Sequence, residues 1–240
     1  LPKAGKIDSI DTKLRLKNLS EATKKSYLCC YNQFKKYIGR KEITKELIEQ
    51  YLLKSKSRRN NIAMLRLICY ELVKDIKFPK RQYKPKILPA KADLKIFYDA
   101  LPDKYKPVFL LLAESGLRIG ELLNADIDKT NKMIIPKSHD GQTKHSWISF
   151  YNTENSIPQV SASRVSKSFK ETSDKTGIKI YPHLLRSVFA REMSKAGVQD
   201  RYIDAFCGRV PGSVLARHYS DFSPEVLKEI YSKANIKILE

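Results

Sequence analysis

The sequence predicts a mainly α-helical chain of two domains with one small β-hairpin or sheet. Three observations predict it. Apolar residues recur at helical spacing through most of the 240 residues. A single pair of β-rich runs, Met133–Ile135 and Trp147–Tyr151, flanks a polar, glycine-containing tip. Between them and the N-terminal helices lies "FPKRQYKPKILPAK", residues 78 to 91, where three prolines sit among Lys80, Arg81, Lys84, Lys86 and Lys91. Proline disfavours helix at and before itself, so this stretch reads as an extended, basic linker. The reading divides the chain into a helical basic domain over 1–84, a linker over 85–91 and a second domain over 92–240.

The first helix follows Ser20, a good N-cap, with Glu21 suited to the positive end of the helix dipole. Tyr27, Tyr31, Phe34 and Ile38 line its inner face, and Gly39 ends it. A second helix starts after Thr44, with Leu47, Ile48, Tyr51 and Leu52 inward. A third is expected from about Arg59 to Ile76, with Ile62, Leu65, Cys69, Leu72 and Ile76 on one stripe. In the second domain, helices are expected over about 92–101, 104–115 and from 118, then, after the hairpin, over about 163–175, 184–196, 199–206, 213–220 and 224–234.

Composition narrows the partners. The formal net charge is +20 and the pI about 9.7. Residues 1–90 carry 23 Lys/Arg against 8 Asp/Glu, whereas residues 91–240 carry 23 against 18. A solvated, lysine-rich surface would mix both signs. The one-sided excess instead points to a polyanion gripped by the N-terminal third. The four cysteines show neither zinc spacing nor a disulfide framework, which fits a reducing compartment. No apolar run is long enough to span a membrane and no signal peptide is visible. The chain begins at Leu1 rather than Met, as a fragment of a longer protein would.

Three segments carry chemistry. In "IYPHLLRSVFAREM", His183 and Arg186 lie three positions apart at a helix start, while Leu184, Leu185, Val188, Phe189 and Met193 point elsewhere. Free backbone N–H groups and the dipole suit that end to an oxyanion. Alone, such a pair is also a capping histidine and a surface arginine. Its companions are Arg118 in "ESGLRIGELL", with Glu121 one turn on to fix the guanidinium, and Tyr219 in "SVLARHYSDF", 33 residues after Arg186. The order Arg, then His-x-x-Arg, then Tyr is far more specific than any one piece.

With these residues the chain resembles the tyrosine recombinases of the phage-integrase class, such as those of archaeal viruses and plasmids. "SGLRIGELL" is similar to the family's first arginine box and "HLLR" to its second, and Tyr219 stands where the nucleophile would lie. The likeness extends over nearly the whole chain, the basic helical domain matching the family's core-binding domain and 92–240 its catalytic domain. It implies a C-shaped clamp around double-stranded DNA at specific recombination sites. It implies a homotetramer on DNA, a monomer or dimer when free, and action in the cytoplasm or nucleoid of the host cell. The implied reaction is attack by Tyr219 on a DNA phosphodiester, giving a 3′-phosphotyrosine without ATP. Arg118 and Arg186 would bind the nonbridging oxygens and His183 would act as base or hydrogen-bond donor. Lys137, after the "MIIP" strand, would protonate the leaving oxygen, with Lys144 across the turn as the alternative.

One position departs from the family pattern. Where a His or Trp is usual after a glycine, this chain has Arg209, ten residues before Tyr219, and His218 is a second candidate for that role. No metal or other cofactor is implied. The C-terminal helix, with Val226, Leu227, Ile230 and Tyr231 apolar, either packs on its own domain or docks into a neighbouring subunit. A type IB topoisomerase-like enzyme and a non-catalytic DNA-binding relative of the same fold are the rival readings.

Overall fold

The computed structural model describes residues 10–17, 19–80, 82, 85–137, 147–154, 156–209, 213–214 and 219–240. The chain divides into two compact units, Leu1–Pro85 and Lys86–Glu240. Among the described residues it is mainly helical with one small sheet, and no helix is long and apolar enough to cross a membrane.

The first unit contains α1 (Ile10–Arg15), α2 (Glu21–Ile38), α3 (Lys45–Lys54), α4 (Arg58–Ile68) and α5 (Tyr70–Val73). Ser20 Oγ and Thr44 Oγ1 accept from the backbone N–H groups of Thr23 and Leu47, so the expected N-cap at Ser20 forms and the helix expected after Thr44 is capped by that residue. Phe34, Ile48, Ile62, Met64, Leu65 and Val73 are fully buried. Each contributes about 1.5–3 kcal/mol by leaving water, which makes this a core in its own right. The long third helix expected to Ile76 is broken. Cys69 leaves helical geometry at φ −144° and ψ 56°, and the chain restarts as the single-turn α5. The apolar stripe runs unbroken through this point, so periodicity alone carries no sign of the break.

The second unit is built on α7 (Lys106–Ser115), which is buried from Val108 to its end. Around it lie α6 (Lys91–Ala100), α8 (Ile119–Leu123), α9 (Ala162–Thr176), α10 (Pro182–Lys195), α11 (Asp200–Phe206) and α12 (Pro224–Ala234). Pro182 occupies the first turn of α10, where its fixed φ suits the helix and its missing N–H costs nothing. The sheet has three antiparallel strands in the order β1 (Asp126–Asp128), β2 (Met133–Ile135) and β3 (Ser149–Phe150), with Ile127 opposite Ile134 and Ile134 opposite Ser149. Strand β1 is not legible in the sequence, because "DID" offers one apolar residue between two carboxylates. The expected run Trp147–Tyr151 is strand only over its two buried central residues.

Helix α12 buries Leu227 and Tyr231 against its own unit, and the Tyr231 hydroxyl donates to the Glu114 carbonyl at 3.0 Å. Ile236 and Ile238 beyond it are also buried, and Asn152 Nδ2 donates to the Ile236 carbonyl at 3.0 Å. Of the two arrangements open for this helix, the chain here adopts packing on itself. Residues 215–218, the middle of the helix expected over 213–220, lie outside the described residues.

Candidate active site

The end of α7 sets up the site. Gly116 closes that helix at φ 67° and ψ 9°, a left-handed conformation that a residue with a Cβ adopts only at a cost. A Cβ placed there would also stand 2.4 Å from the Phe189 ring of α10. The turn therefore needs glycine both for its backbone and for the close approach of α10. Two residues later Arg118 caps α8. Glu121, in the first turn, reaches back and accepts from the Arg118 backbone N–H at 2.8 Å, while its other oxygen pairs with Arg118 Nη1. The carboxylate thus orients the guanidinium, as expected of Glu121.

Arg186 differs from its expected setting. It does not share an open face with His183: it is 2% exposed, whereas His183 is exposed. Its Nη1 donates to the Gly116 carbonyl at 2.9 Å and its Nη2 to the Cys207 carbonyl. Gly116 and Cys207 are the C-caps of α7 and α11. Both carbonyls sit at the negative ends of helix dipoles, which offsets part of the cost of burying a cation. Glu121 Oε2 lies 3.9 Å from Nη1, and the buried Nε has no hydrogen-bond partner. Burial pulls the Arg186 guanidinium below its ordinary range, with Arg118 and Arg209 acting in the same direction and Cys207 and Glu121 against it.

The other candidates divide. His183 is held below its ordinary value first by desolvation and then by the positive charges of Lys86, Arg186, Arg118 and Arg209. These residues therefore form one electrostatic neighbourhood. Arg209 pairs with Asp204 at 3.3 Å and is otherwise exposed. Lys137 pairs instead with Asp126 of β1 at 2.8 Å, on the edge of the sheet. Tyr219 is 78% exposed. Among the described residues, no hydrogen bond or ion pair joins Lys137 or Tyr219 to the arginines. Lys144 and His218 lie outside the described residues. No group of three or more His, Cys, Asp or Glu among the described residues is arranged to hold a metal ion.

Reading the sequence missed two parts of this arrangement. One is the pair of C-cap carbonyls under Arg186, for which a glycine in the first arginine box was the only hint. The other is Lys86, which sits beside α10 although the sequence reads it as part of a linker.

Residues 86–235 match the family model described as archaeal phage integrase. No curated protein sequence matches the chain at a significant level. Among solved structures, a lambda integrase dimer bound to a COC′ core site aligns over 90% of this chain and 76% of its own, with 17% identity and a TM-score of 0.68. The Tn1549 transposon integrase in complex with circular intermediate DNA aligns over 92% and 96%, with 15% identity and a TM-score of 0.59. At these identities the likeness speaks for a shared fold.

Proposed function

This chain belongs to the archaeal phage integrase family, and we propose that it carries out that family's site-specific recombination through a phosphotyrosine formed on Tyr219. It is an integrase, a DNA strand transferase. The observation that carries the mechanistic reading is Glu121 shared between Arg118 and Arg186, the latter three positions after His183 on the same helix, with the charges of these arginines and of Arg209 acting on the imidazole.

Such a cluster stabilises charge that grows on a phosphate. In the pentavalent transition state the nonbridging oxygens become more negative, and planar guanidinium groups match them in charge and shape. Arg118, a quarter exposed, and the exposed Arg209 are open to that contact. Arg186 adds its charge from the buried side, with Nη1 and Nη2 on the Gly116 and Cys207 carbonyls.

A free tyrosine is only about 10⁻³ phenolate at pH 7, so the nucleophile needs a proton acceptor. A His183 held below its ordinary value is a neutral imidazole at that pH and can take the Tyr219 proton as the new P–O bond forms. The departing 5′ oxygen then takes a proton from a general acid, which the reading assigns to Lys137. Tyr219 is open to a large external substrate, as Tyr70 and Tyr181 also are, whereas Tyr51, Tyr151 and Tyr231 are buried; its place after the Arg and His-x-x-Arg segments is what marks it as the nucleophile.

The net charge of +20 fits double-stranded DNA as partner, with affinity falling steeply as salt rises. Exchange between two sites, each with two half-sites, would take four protomers. The test is a denaturing gel of the chain mixed with labelled DNA from its own genetic element, wild type beside Tyr219→Phe. A DNA-linked band in wild type alone is the expected result. An adduct formed by Tyr219→Phe overturns the assignment. Binding without any adduct, even on nicked trapping substrates, favours the accessory-binder reading.

A further inference from the structure

The second unit opens with a segment that is tied to α10 before α6 begins. Leu88 packs against the hydrophobic core. The Pro89 carbonyl accepts from Arg191 Nη1 at 2.8 Å, and the same arginine is braced by Glu192 at 2.7 Å. These anchors lie two and three residues beyond Lys86. The Lys86 ammonium is 3.5 Å from Ser187 Oγ, one helical turn after His183. Ile87 is 95% exposed, so no apolar contact of its own holds the chain on that path.

Each element around His183 brings its own charge. Arg186 lies on the same helix, Arg118 caps α8, Arg209 follows α11 and Lys86 comes from the segment before α6. Of these four cations Lys86 weighs most on the imidazole. The carboxylates of the cluster are engaged elsewhere: Glu121 with Arg118 and Arg186, and Asp204 with Arg209.

We propose that Lys86 is a positioning residue for strand transfer: its ammonium, brought beside Ser187 on α10 by the anchored segment that follows it, disfavours a second positive charge on His183 and so keeps the imidazole ready to accept the Tyr219 proton. The inference rests on His183 as the base. The proton moves from the Tyr219 hydroxyl to the imidazole while the tyrosine oxygen bonds to phosphorus and the bond to the 5′ oxygen breaks. A nearby cation makes protonation in the resting enzyme less favourable. The growing negative charge of the phosphate then offsets that cation when the proton arrives.

The test uses the full chain in four forms: wild type, Lys86→Met, Lys86→Arg and His183→Gln. Two-dimensional imidazole ¹H–¹⁵N spectra across pH follow each histidine, with His183 assigned by its loss in His183→Gln. Single-turnover adduct formation on a nicked substrate, at saturating DNA, gives the matching pH–rate profile. The expected result is that His183 titrates at higher pH in Lys86→Met than in wild type. The acid limb of the cleavage profile should move with it, and Lys86→Arg should restore both. An unchanged His183 titration in Lys86→Met overturns the proposal, even if DNA affinity falls, and leaves Lys86 as a phosphate contact. An acid limb that survives in His183→Gln removes His183 from the chemistry. It thereby withdraws the parent reading, independently of what the spectra say about Lys86.

Discussion

Arg186 Nη1 donates to the carbonyl of Gly116 at 2.9 Å, across 70 residues of sequence. That bond ties the second arginine box to the turn that opens the first. The Phe189 ring, one turn further along α10, closes over the same glycine. Backbone conformation, packing and charge therefore meet at one point, and each can be perturbed separately.

Gly116→Ala should destabilise the second unit by about 2–4 kcal/mol. The cost combines left-handed strain with overpacking against Phe189. Urea denaturation monitored on the whole chain measures it. A change below about 0.5 kcal/mol would mean that the turn and α10 relax without cost.

Arg186→Ala should lower both stability and cleavage. Its 2% exposure makes the side chain part of the folded core as well as of the site. Removing the side chain leaves the buried Gly116 and Cys207 carbonyls without this donor, a loss of roughly 1–3 kcal/mol for each group left unsatisfied. Single-turnover cleavage should fall roughly 10²–10³-fold. Arg186→Lys is the sharper variant, since one ammonium cannot reproduce a planar fork between two carbonyls. It should retain more stability than Arg186→Ala and regain little activity.

Glu121→Gln should reduce cleavage by about 10–100-fold, the range for losing a hydrogen bond to a charged group. Both Arg118 and Arg186 lose their shared carboxylate. DNA affinity should hold or rise, because a negative charge leaves a cationic surface. A parallel loss of affinity and rate would argue for local unfolding of α8.

Glu114 offers a test of pH dependence away from the arginines. It is 4% exposed, and burial raises its carboxyl above the ordinary value. Bonds from the Asn152 and Thr153 backbone and the Thr153 hydroxyl, followed by the charge of Lys132, act in the other direction. A carboxyl raised in the folded state binds its proton more tightly there than in the unfolded chain. Its contribution to stability is present at low pH and is lost as pH climbs from the ordinary carboxylate value through the folded one. The unfolding free energy of wild type minus that of Glu114→Gln should therefore decrease as pH rises through that window. A difference that grows with pH would show that the bonds to the carboxylate outweigh its burial.

The sequence by itself determined the elements that depend on neighbouring residues. Ser20 and Thr44 cap helices because a hydroxyl at the boundary meets an N–H three residues on. Glu121 meets Arg118 because i and i+3 adjoin at a helix start. The apolar stripe of α10 reads directly from Leu184, Leu185, Val188, Phe189 and Met193, all buried. The order of Arg118, His183, Arg186 and Tyr219 was enough to point to the family.

Tertiary structure decided the rest. The burial of Arg186 follows from two helix ends, 70 and 21 residues away, converging on one guanidinium. Lys86 meets Ser187 across 101 residues because Leu88 and Arg191 anchor the segment between them. The break at Cys69 and the strand "DID" likewise left no periodic trace. Helical and capping patterns register energies between residues a few positions apart. Where a charged side chain finds its partner depends on which distant surfaces the packed core brings together, and no local pattern encodes that.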